Sequence, residues 1–347
     1  MRTFDRIRSL LPFGLAITFL IGLDLSFAYY ARSHFLPARK LEVALSATPV
    51  DALILGDSRM AAALDVSGLR EGWRQCGGQL PTVADLSLGG VDIDGQAMAV
   101  RQFFERGGTA KLVVLGTVPE SLTSEPADPE GWIGNEAIVL WWSRLSDVAV
   151  HFPRETTRLD PDVLDREFRF LTYRTLSLSS LRSLLWHRAQ ELQDVVLRRR
   201  PIARPIGFGA EADMRALAGR FTDRAHQVAA AGIESWRMSA WACELRREVE
   251  VAGSRLLVVE LPMPSAYQAV QSSAFGQELR RRLPACFCGN SVAWIDASSL
   301  PVFSDSDFSD GLHLSGAAGR AFSTALGCRV SQRSSALAPS SRRNESH

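Results

Sequence analysis

The sequence predicts an α/β fold in which five parallel strands form a doubly wound sheet with helices on both faces. Short, almost wholly apolar runs recur along the chain, among them DALIL at 51–55, RLLVVEL at 255–261 and VAWID at 292–296. Such runs, separated by helical segments, are typical of parallel strands that are buried on both faces. Apolar residues make up 46% of the 347 residues, enough for a large core.

The first part of the α/β domain is predicted at 51–119. It holds strands at 51–55, 82–88 and 111–118, with helices at 60–73 and 92–106 between them. Gly56 follows the first strand, Gly89 and Gly90 follow the second, and Pro119 ends the third. These residues turn the chain or stop a strand, so the boundaries agree with the apolar pattern.

The alternation stops at 120 and resumes at 233. Residues 120–232 are interpreted as a mainly helical insertion, because about 110 residues are too many for a plain loop. The second part of the domain, 233–330, is predicted to hold helices at 233–251, 275–283 and 315–326 and strands at 255–261 and 292–296. The Ser- and Arg-rich tail at 331–347 is predicted to be disordered.

The N-terminal segment 1–30 is predicted to be a transmembrane signal-anchor. The apolar stretch 10–30 is long enough to cross a bilayer once, and Tyr29 and Tyr30 suit its interface. Residues 31–50 would form a juxtamembrane linker. The alternative is a signal peptide cleaved near Ala28, which gives a secreted protein. We expect the main domain outside the cytoplasm, anchored in the inner membrane and facing the periplasm.

Charge and cysteine content exclude several classes of protein. The net charge of +1 argues against a nucleic-acid binder, which needs a basic excess. The five cysteines include no Cys-x-x-Cys pair, so neither a zinc site nor another metal or cofactor is predicted. One or two disulfides are possible outside the cytoplasm, with at least one thiol left over and the connectivity open.

The segment Gly56-Asp57-Ser58 stands at the end of the first strand and before a helix. A sharp turn there would place the Ser58 hydroxyl beside unpaired backbone N–H groups, as a nucleophilic serine requires. The alternative is that Ser58 caps the helix. Asp57 is expected to support the turn.

A second polar segment, Asp310-Gly311-Leu312-His313, follows the last strand and precedes the last helix. In a doubly wound sheet the loops after the strands share one edge, so His313 could reach Ser58 as a general base. Asp310 could then orient the imidazole. The alternatives are a surface histidine at His313 and turn roles for Asp310 and its neighbours Asp305 and Asp307.

Gly-Asp-Ser at 56–58, the glycines after the second strand and Asp-x-x-His at 310–313 resemble the SGNH (GDSL) hydrolase superfamily over roughly 50–118 and 233–328. The resemblance implies a Ser58–His313–Asp310 triad, with an oxyanion hole formed by the Ser58 backbone and by Gly89 or Gly90. The full prediction is a flavodoxin-like, three-layer, SGNH-like α/β domain with a mainly helical insertion and an N-terminal transmembrane helix.

The chain departs from that family after the third strand, where Gly116-Thr117-Val118-Pro119-Glu120 holds no asparagine for the oxyanion hole. Thr117 is a candidate substitute donor, Asn135 a weaker one, and Arg59 a weak candidate for binding an anionic substrate group. For Arg59, an exposed first-turn arginine is the other interpretation.

An anchor, an SGNH-like domain and an insertion together are similar to the cell-envelope O-acyltransferases and esterases of the superfamily. This implies an acylated or acyl-accepting carbohydrate polymer as substrate, and a membrane-bound acyltransferase as a possible partner. The competing hypothesis is a catalytically weak or inactive scaffold in a polymer-modifying membrane complex.

Overall fold

A five-stranded parallel sheet is the centre of the computed structural model, which describes residues 36–89, 91, 93–124, 237–286 and 292–336 and a few positions between 219 and 230. The strands are β1 (Val50–Gly56), β2 (Val83–Asp85), β3 (Ala110–Thr117), β6 (Arg255–Glu260) and β7 (Val292–Ile295). Their spatial order is β2-β1-β3-β6-β7, which is the flavodoxin-like order. The α/β class and the five parallel strands predicted from the sequence are therefore confirmed.

The helices of the described residues begin with α1 (Leu36–Ser46), which leads into β1. The others are α2 (Ser58–Ala63), α3 (Val66–Gln75), α4 (Ile93–Glu105), α5 (Ala240–Val251), α6 (Ser265–Gln271), α7 (Ala274–Cys286) and α8 (Gly316–Ala336). Apolar side chains from α2, α3, α6 and α8 bury one face of the sheet in a common core that includes Met60, Leu69, Tyr267 and Phe322.

The helix predicted at 60–73 is in fact two helices. Asp65 interrupts it, because its carboxylate accepts a hydrogen bond from Gly68 N at 2.9 Å and so caps a new helix. The backbone N–H of Asp65 instead donates to Ser323 Oγ on α8 at 2.8 Å. This hydrogen bond therefore attaches the α2–α3 junction to α8.

Helices α3 and α8 pack side by side and run in the same direction. At Gly72 a β-carbon would lie 1.8 Å from Thr324 O, and at Gly327 it would lie 2.0 Å from Leu69 O. Nearer the start of α8, a β-carbon at Gly319 would lie 3.1 Å from Ala62 O. Glycines on both sides thus allow the two helix backbones to touch.

A disulfide between Cys76 and Cys328 joins the ends of these helices, with the two Cα atoms 5.1 Å apart. The sequence left the connectivity open. Cys243 is a free, exposed thiol. The two crosslinked residues are 252 positions apart in the chain, so the bond connects the first part of the α/β domain to the second.

The ends of the predicted insertion meet in a short antiparallel ribbon of β4 (Thr123–Ser124) and β5 (Arg237–Met238). The helix predicted to start at 233 starts instead at 240, because β5 precedes it and Ser239 caps it. Most of the insertion lies outside the described residues. By compactness the chain divides into one unit of 1–42 and 135–204 and another of 43–134 and 205–347; every strand that the structure describes belongs to the second.

Two further sequence predictions differ from the structure. Helix α8 continues to Ala336, so 331–336 do not belong to a disordered tail; Val330 and Ser331 are buried there. Helix α6 was not predicted.

None of the helices within the described residues is long and apolar enough to span a membrane, and the predicted anchor at 1–30 lies outside that part of the chain.

Candidate active site

The turn after β1 is shaped by a close approach of helix α2 to the sheet. A β-carbon at Gly56 would lie 2.3 Å from Met60 Cβ and 2.8 Å from Gly116 O, so a larger residue does not fit. Asp57 is the N-cap of α2, and its Oδ1 accepts a hydrogen bond from Arg59 N at 2.8 Å. Asp57 therefore supports the turn, as the sequence predicts.

Ser58 is the first residue of α2 and is partly exposed. The alternative in which Ser58 caps the helix is wrong, because Asp57 has that role. No hydrogen bond of the Ser58 hydroxyl is present among the described residues. The hydroxyl is therefore not held by a hydrogen bond within this part of the chain. Its role as nucleophile stays a prediction.

His313, which is buried, and Asp310, which is partly exposed, form a pair in the loop before α8. His313 Nδ1 lies 2.7 Å from Asp310 Oδ2, and Asp310 Oδ1 accepts hydrogen bonds from the backbone N–H groups of Leu312 (3.0 Å) and His313 (2.8 Å). The alternative of a surface histidine is wrong, since His313 is 3% exposed. With Nδ1 facing a carboxylate, the ring presents Nε2 for proton transfer.

The loop that carries this pair is held firmly at both ends. Ser309 N donates to His313 O at 2.8 Å, and Ser315 N donates to Asp307 O at 2.7 Å. Leu312 and Leu314, on either side of His313, are buried in the core between the sheet and helices α2, α3, α6 and α8. Anchors on both sides of the histidine limit how far its ring can move.

The two neighbouring aspartates have other partners, so Asp310 is the carboxylate that orients His313. Asp305 accepts hydrogen bonds from Ser265 N (2.7 Å) and Ser265 Oγ (2.6 Å) at the start of α6. Asp307 Oδ2 accepts one from Ser304 N at 2.8 Å within its own turn. The sequence left open which of the three aspartates pairs with His313, and the hydrogen bonds identify Asp310.

Ser58 and His313 lie at the same edge of the sheet, although no hydrogen bond joins them in this structure. Pairing along the helices runs from Cys76 with Cys328 back to Ala62 with Gly319. Ala62 is on α2, four residues after Ser58, and Gly319 is on α8, six residues after His313, so both site residues stand near the carboxyl ends of the strands. Catalytic hydrogen bonds are often longer in enzymes without bound substrate.

The predicted oxyanion donors differ in their positions. Leu88 N donates to Gly56 O at 2.9 Å, so the chain after β2 runs along β1 to the serine turn and places Gly89 next to it. Thr117 is buried at the end of β3, and its hydroxyl donates to Val118 O at 3.2 Å. Gly90 and Asn135 lie outside the described residues.

A buried polar cluster beside Ser58, which the sequence did not reveal, includes Arg59. The guanidinium donates to Asp57 Oδ2 through Nε (2.8 Å) and to Ser121 Oγ through Nη2 (2.9 Å). Arg59 is 6% exposed, so the interpretation as an exposed first-turn arginine is wrong. Its predicted contact with substrate stays a prediction, and the observed bonds tie the serine turn to the turn after β3.

Glu120 and Tyr267 extend the cluster, with Tyr267 Oη donating to Glu120 Oε2 at 3.1 Å. Burial raises the pKa of the Glu120 carboxyl, and burial together with the nearby charge of Glu120 raises the pKa of the Tyr267 phenol. Burial opposes the charge of Arg59, but the carboxylate of Asp57 outweighs it and raises the pKa of the guanidinium. Arg59 thus stays charged in a poorly solvated place.

No protein-family model matches this sequence, and no curated protein is significantly similar to it. Any interpretation of the site therefore depends on its own geometry and on the sequence motifs.

Proposed function

We propose that this chain is a membrane-anchored, extracytoplasmic serine O-acyl esterase or acyltransferase of the SGNH type that acts on a carbohydrate polymer of the cell envelope. The observation that carries the proposal is the pairing of the buried His313 with Asp310, at 2.7 Å, on the sheet edge that also holds Ser58. A histidine held by a carboxylate, on the same sheet edge as a serine hydroxyl without a hydrogen-bond partner among the described residues, suits nucleophilic acyl transfer.

The reaction proceeds in two steps. His313 Nε2 takes the proton of Ser58 Oγ as this oxygen attacks the acyl carbon, and the alcohol leaves with that proton. Asp310 stabilises the imidazolium through Nδ1. Water or a sugar hydroxyl then gives a proton to His313 and attacks the acyl-enzyme, which frees Ser58. The N–H groups of Ser58 and Gly89 are the candidate donors to the oxyanion.

The Cys76–Cys328 disulfide supports the proposed location. Disulfides persist in oxidising compartments such as the periplasm and are rare in the cytosol. The apolar segment 10–30 supports a membrane anchor on the same side.

Labelling with a fluorophosphonate tests the nucleophile. We expect the full-length protein in detergent to be labelled, and Ser58→Ala and His313→Ala to lose the label. Matched controls are Ser67→Ala, an exposed serine on α3, and His226→Ala, an exposed histidine. Equal labelling of the wild type and the two site variants would contradict the proposal.

A second candidate function is a scaffold that holds a polymer-modifying complex together without catalysis. The turn after β3 favours it, because Glu120 and Ser121 there bond to Tyr267 and Arg59 and no amide side chain offers an oxyanion donor. A missing donor of this kind costs roughly 10²–10³ in rate. A strain carrying Ser58→Ala that keeps full polymer acylation, whereas deletion of 120–232 abolishes it, would support the scaffold.

A further inference from the structure

A pocket of about 360 Å³ lies at the edge of the sheet opposite Ser58, where the strands begin. Asp51, Lys111 and Arg255 line it from the first residues of β1, β3 and β6, and Trp73 lines it from α3. The pocket belongs to one compact unit and shares no residue with the candidate active site. A pocket of this size is within the range of small-molecule sites.

Arg255 brings a charge into this pocket that the described part of the chain does not balance. Its Nη1 is buried and has no hydrogen-bond acceptor there, and no carboxylate forms an ion pair with it. A buried charged donor without an acceptor destabilises a fold. Because Arg255 also lines the pocket, an anion bound there would balance this charge.

Asp51, the carboxylate in the lining, is already engaged. Its Oδ1 receives the Lys111 ammonium at 2.7 Å, and its Oδ2 accepts a hydrogen bond from Thr82 N at 2.8 Å. Arg255, Lys111 and Asp51 together give the lining a net charge of +1. The Lys111 side chain is 76% exposed, so it can turn towards a ligand while it stays near Asp51.

The turn after α3, which lines the pocket, is held by backbone hydrogen bonds. In it Gly77 N donates to Arg74 O at 3.2 Å and Gly78 N to Trp73 O at 3.1 Å. The chain packs tightly there, since a β-carbon at Gly78 would lie 2.1 Å from Trp73 Cδ1. The indole therefore forms a fixed wall beside the two cations.

We propose that this pocket binds a phosphoryl group. A guanidinium fork and a mobile ammonium are the two side chains that proteins use most to hold phosphate oxygens. The group could come from a soluble phosphate or from the headgroup of an anionic lipid. A lipid headgroup is included because Asp51 stands 21 residues after Tyr30, where the predicted membrane segment ends.

Calorimetric titration of the full-length protein in detergent, at constant ionic strength, tests the proposal. The probes are inorganic phosphate and dihexanoyl-phosphatidylglycerol, with dihexanoyl-phosphatidylcholine as the neutral-headgroup control. The variants are Arg255→Gln and Lys111→Gln. Arg74→Gln is the matched control, because Arg74 is an exposed arginine on α3 that pairs with Glu71.

We expect saturable binding of at least one anionic probe to the wild type and to Arg74→Gln. The Kd should rise about tenfold or more in Arg255→Gln, which loses a charge-assisted hydrogen bond, and several-fold in Lys111→Gln. Binding of phosphate alone identifies a soluble ligand; preferential binding of phosphatidylglycerol identifies a headgroup site.

No saturable binding of either anionic probe to the wild type overturns the proposal. So does an unchanged Kd in both pocket variants, or equal binding of the neutral lipid. The unfolding midpoint of each variant without ligand shows whether it is folded, and Lys111→Gln keeps the test decisive if Arg255→Gln is not. These outcomes are independent of Ser58 and His313.

Discussion

At the scale of the residue, Asp310 decides how His313 is held. Burial opposes the ionisation of Asp310, but the hydrogen bond and charge of His313 and two backbone N–H groups outweigh it and lower the pKa of the carboxyl below its usual 3.8. The carboxylate is thus ionised at neutral pH and can stabilise an imidazolium. This is the electrostatic requirement of a triad.

The pH dependence of stability tests the state of Asp310. Because its pKa is lower in the folded state, its contribution is complete above the unfolded-state value and is lost as the pH falls through the folded-state value. Between these two values the wild type should lose stability more steeply than Asp310→Asn. Unfolding midpoints measured across the acid range would show this difference. Parallel curves would mean that Asp310 is not the paired carboxylate.

We expect replacement of Arg59 to lower the stability of the fold. In Arg59→Met the carboxylate of Asp57 would lose its ionic partner in a poorly solvated site, which costs about 3–5 kcal/mol for a buried pair. Denaturant unfolding would measure the loss. The matched control Arg74→Gln, which removes an exposed ion pair, should leave stability nearly unchanged. Equal stability of both variants would contradict the buried cluster.

The sequence could predict the turn at Asp57, directly after β1, and the pairing of Asp310 with His313, three residues apart in one loop, because both signals are local. It could not predict the burial of Arg59. That burial depends on Ser121, which is 62 residues away in the chain and comes close only through the pairing of β1 with β3.

At the scale of the element, the contact between α3 and α8 depends on glycine. Gly72→Ala should destabilise the fold by about 1–3 kcal/mol, because the new β-carbon meets the backbone of Thr324. Gly316→Ala, at the start of α8, meets nothing within 4 Å and should be neutral or slightly stabilising, since alanine favours helices. Thermal unfolding compares the two; equal effects would contradict the close packing.

The Cys76–Cys328 disulfide fixes the far end of the same helix pair. Replacement of both cysteines by serine should lower stability by about 2–5 kcal/mol, as for other native disulfides that close long loops. Cys243→Ser, which removes the free exposed thiol, is the control. Denaturant unfolding under non-reducing conditions is the measurement. Equal stability of the double variant and the control would argue that the bond is absent from the native protein.

Strands were easier to predict than helix boundaries. Most strands of the sheet are compact apolar runs, so their positions follow from the local pattern; β2 is the exception, since it was predicted at 82–88 and covers only Val83–Asp85. The break between α2 and α3 depends on Ser323, which receives the N–H of Asp65 from a distance of 258 residues. The extension of α8 past 331 depends on packing that buries Val330 and Ser331. Neither Ser323 as a partner of Asp65 nor the packing around Val330 and Ser331 can be identified from a local sequence pattern.

At the scale of the whole molecule, the strand order explains how distant motifs reach one edge. β1 lies next to β2 and β3 in the sheet, and the last helix returns from the β7 side to pack on α3. The Gly-Asp-Ser turn and the Asp-x-x-His loop, more than 250 residues apart in the chain, therefore lie on the same side of the sheet, at the carboxyl ends of the strands. The sequence predicts this common edge, because loops that follow parallel strands lie at the same end of the sheet. The distance between the Ser58 and His313 side chains depends instead on how the helices pack.

The central claim is that Ser58 and His313 act together as nucleophile and base. A crystal structure of the full-length protein after reaction with a fluorophosphonate tests it most directly. We predict a phosphonyl group on Ser58 Oγ, with His313 Nε2 within about 3.2 Å of that group or of a water bound to it. A phosphonyl group on another residue, or a His313 ring too far from Ser58 for one water to bridge, would contradict the account.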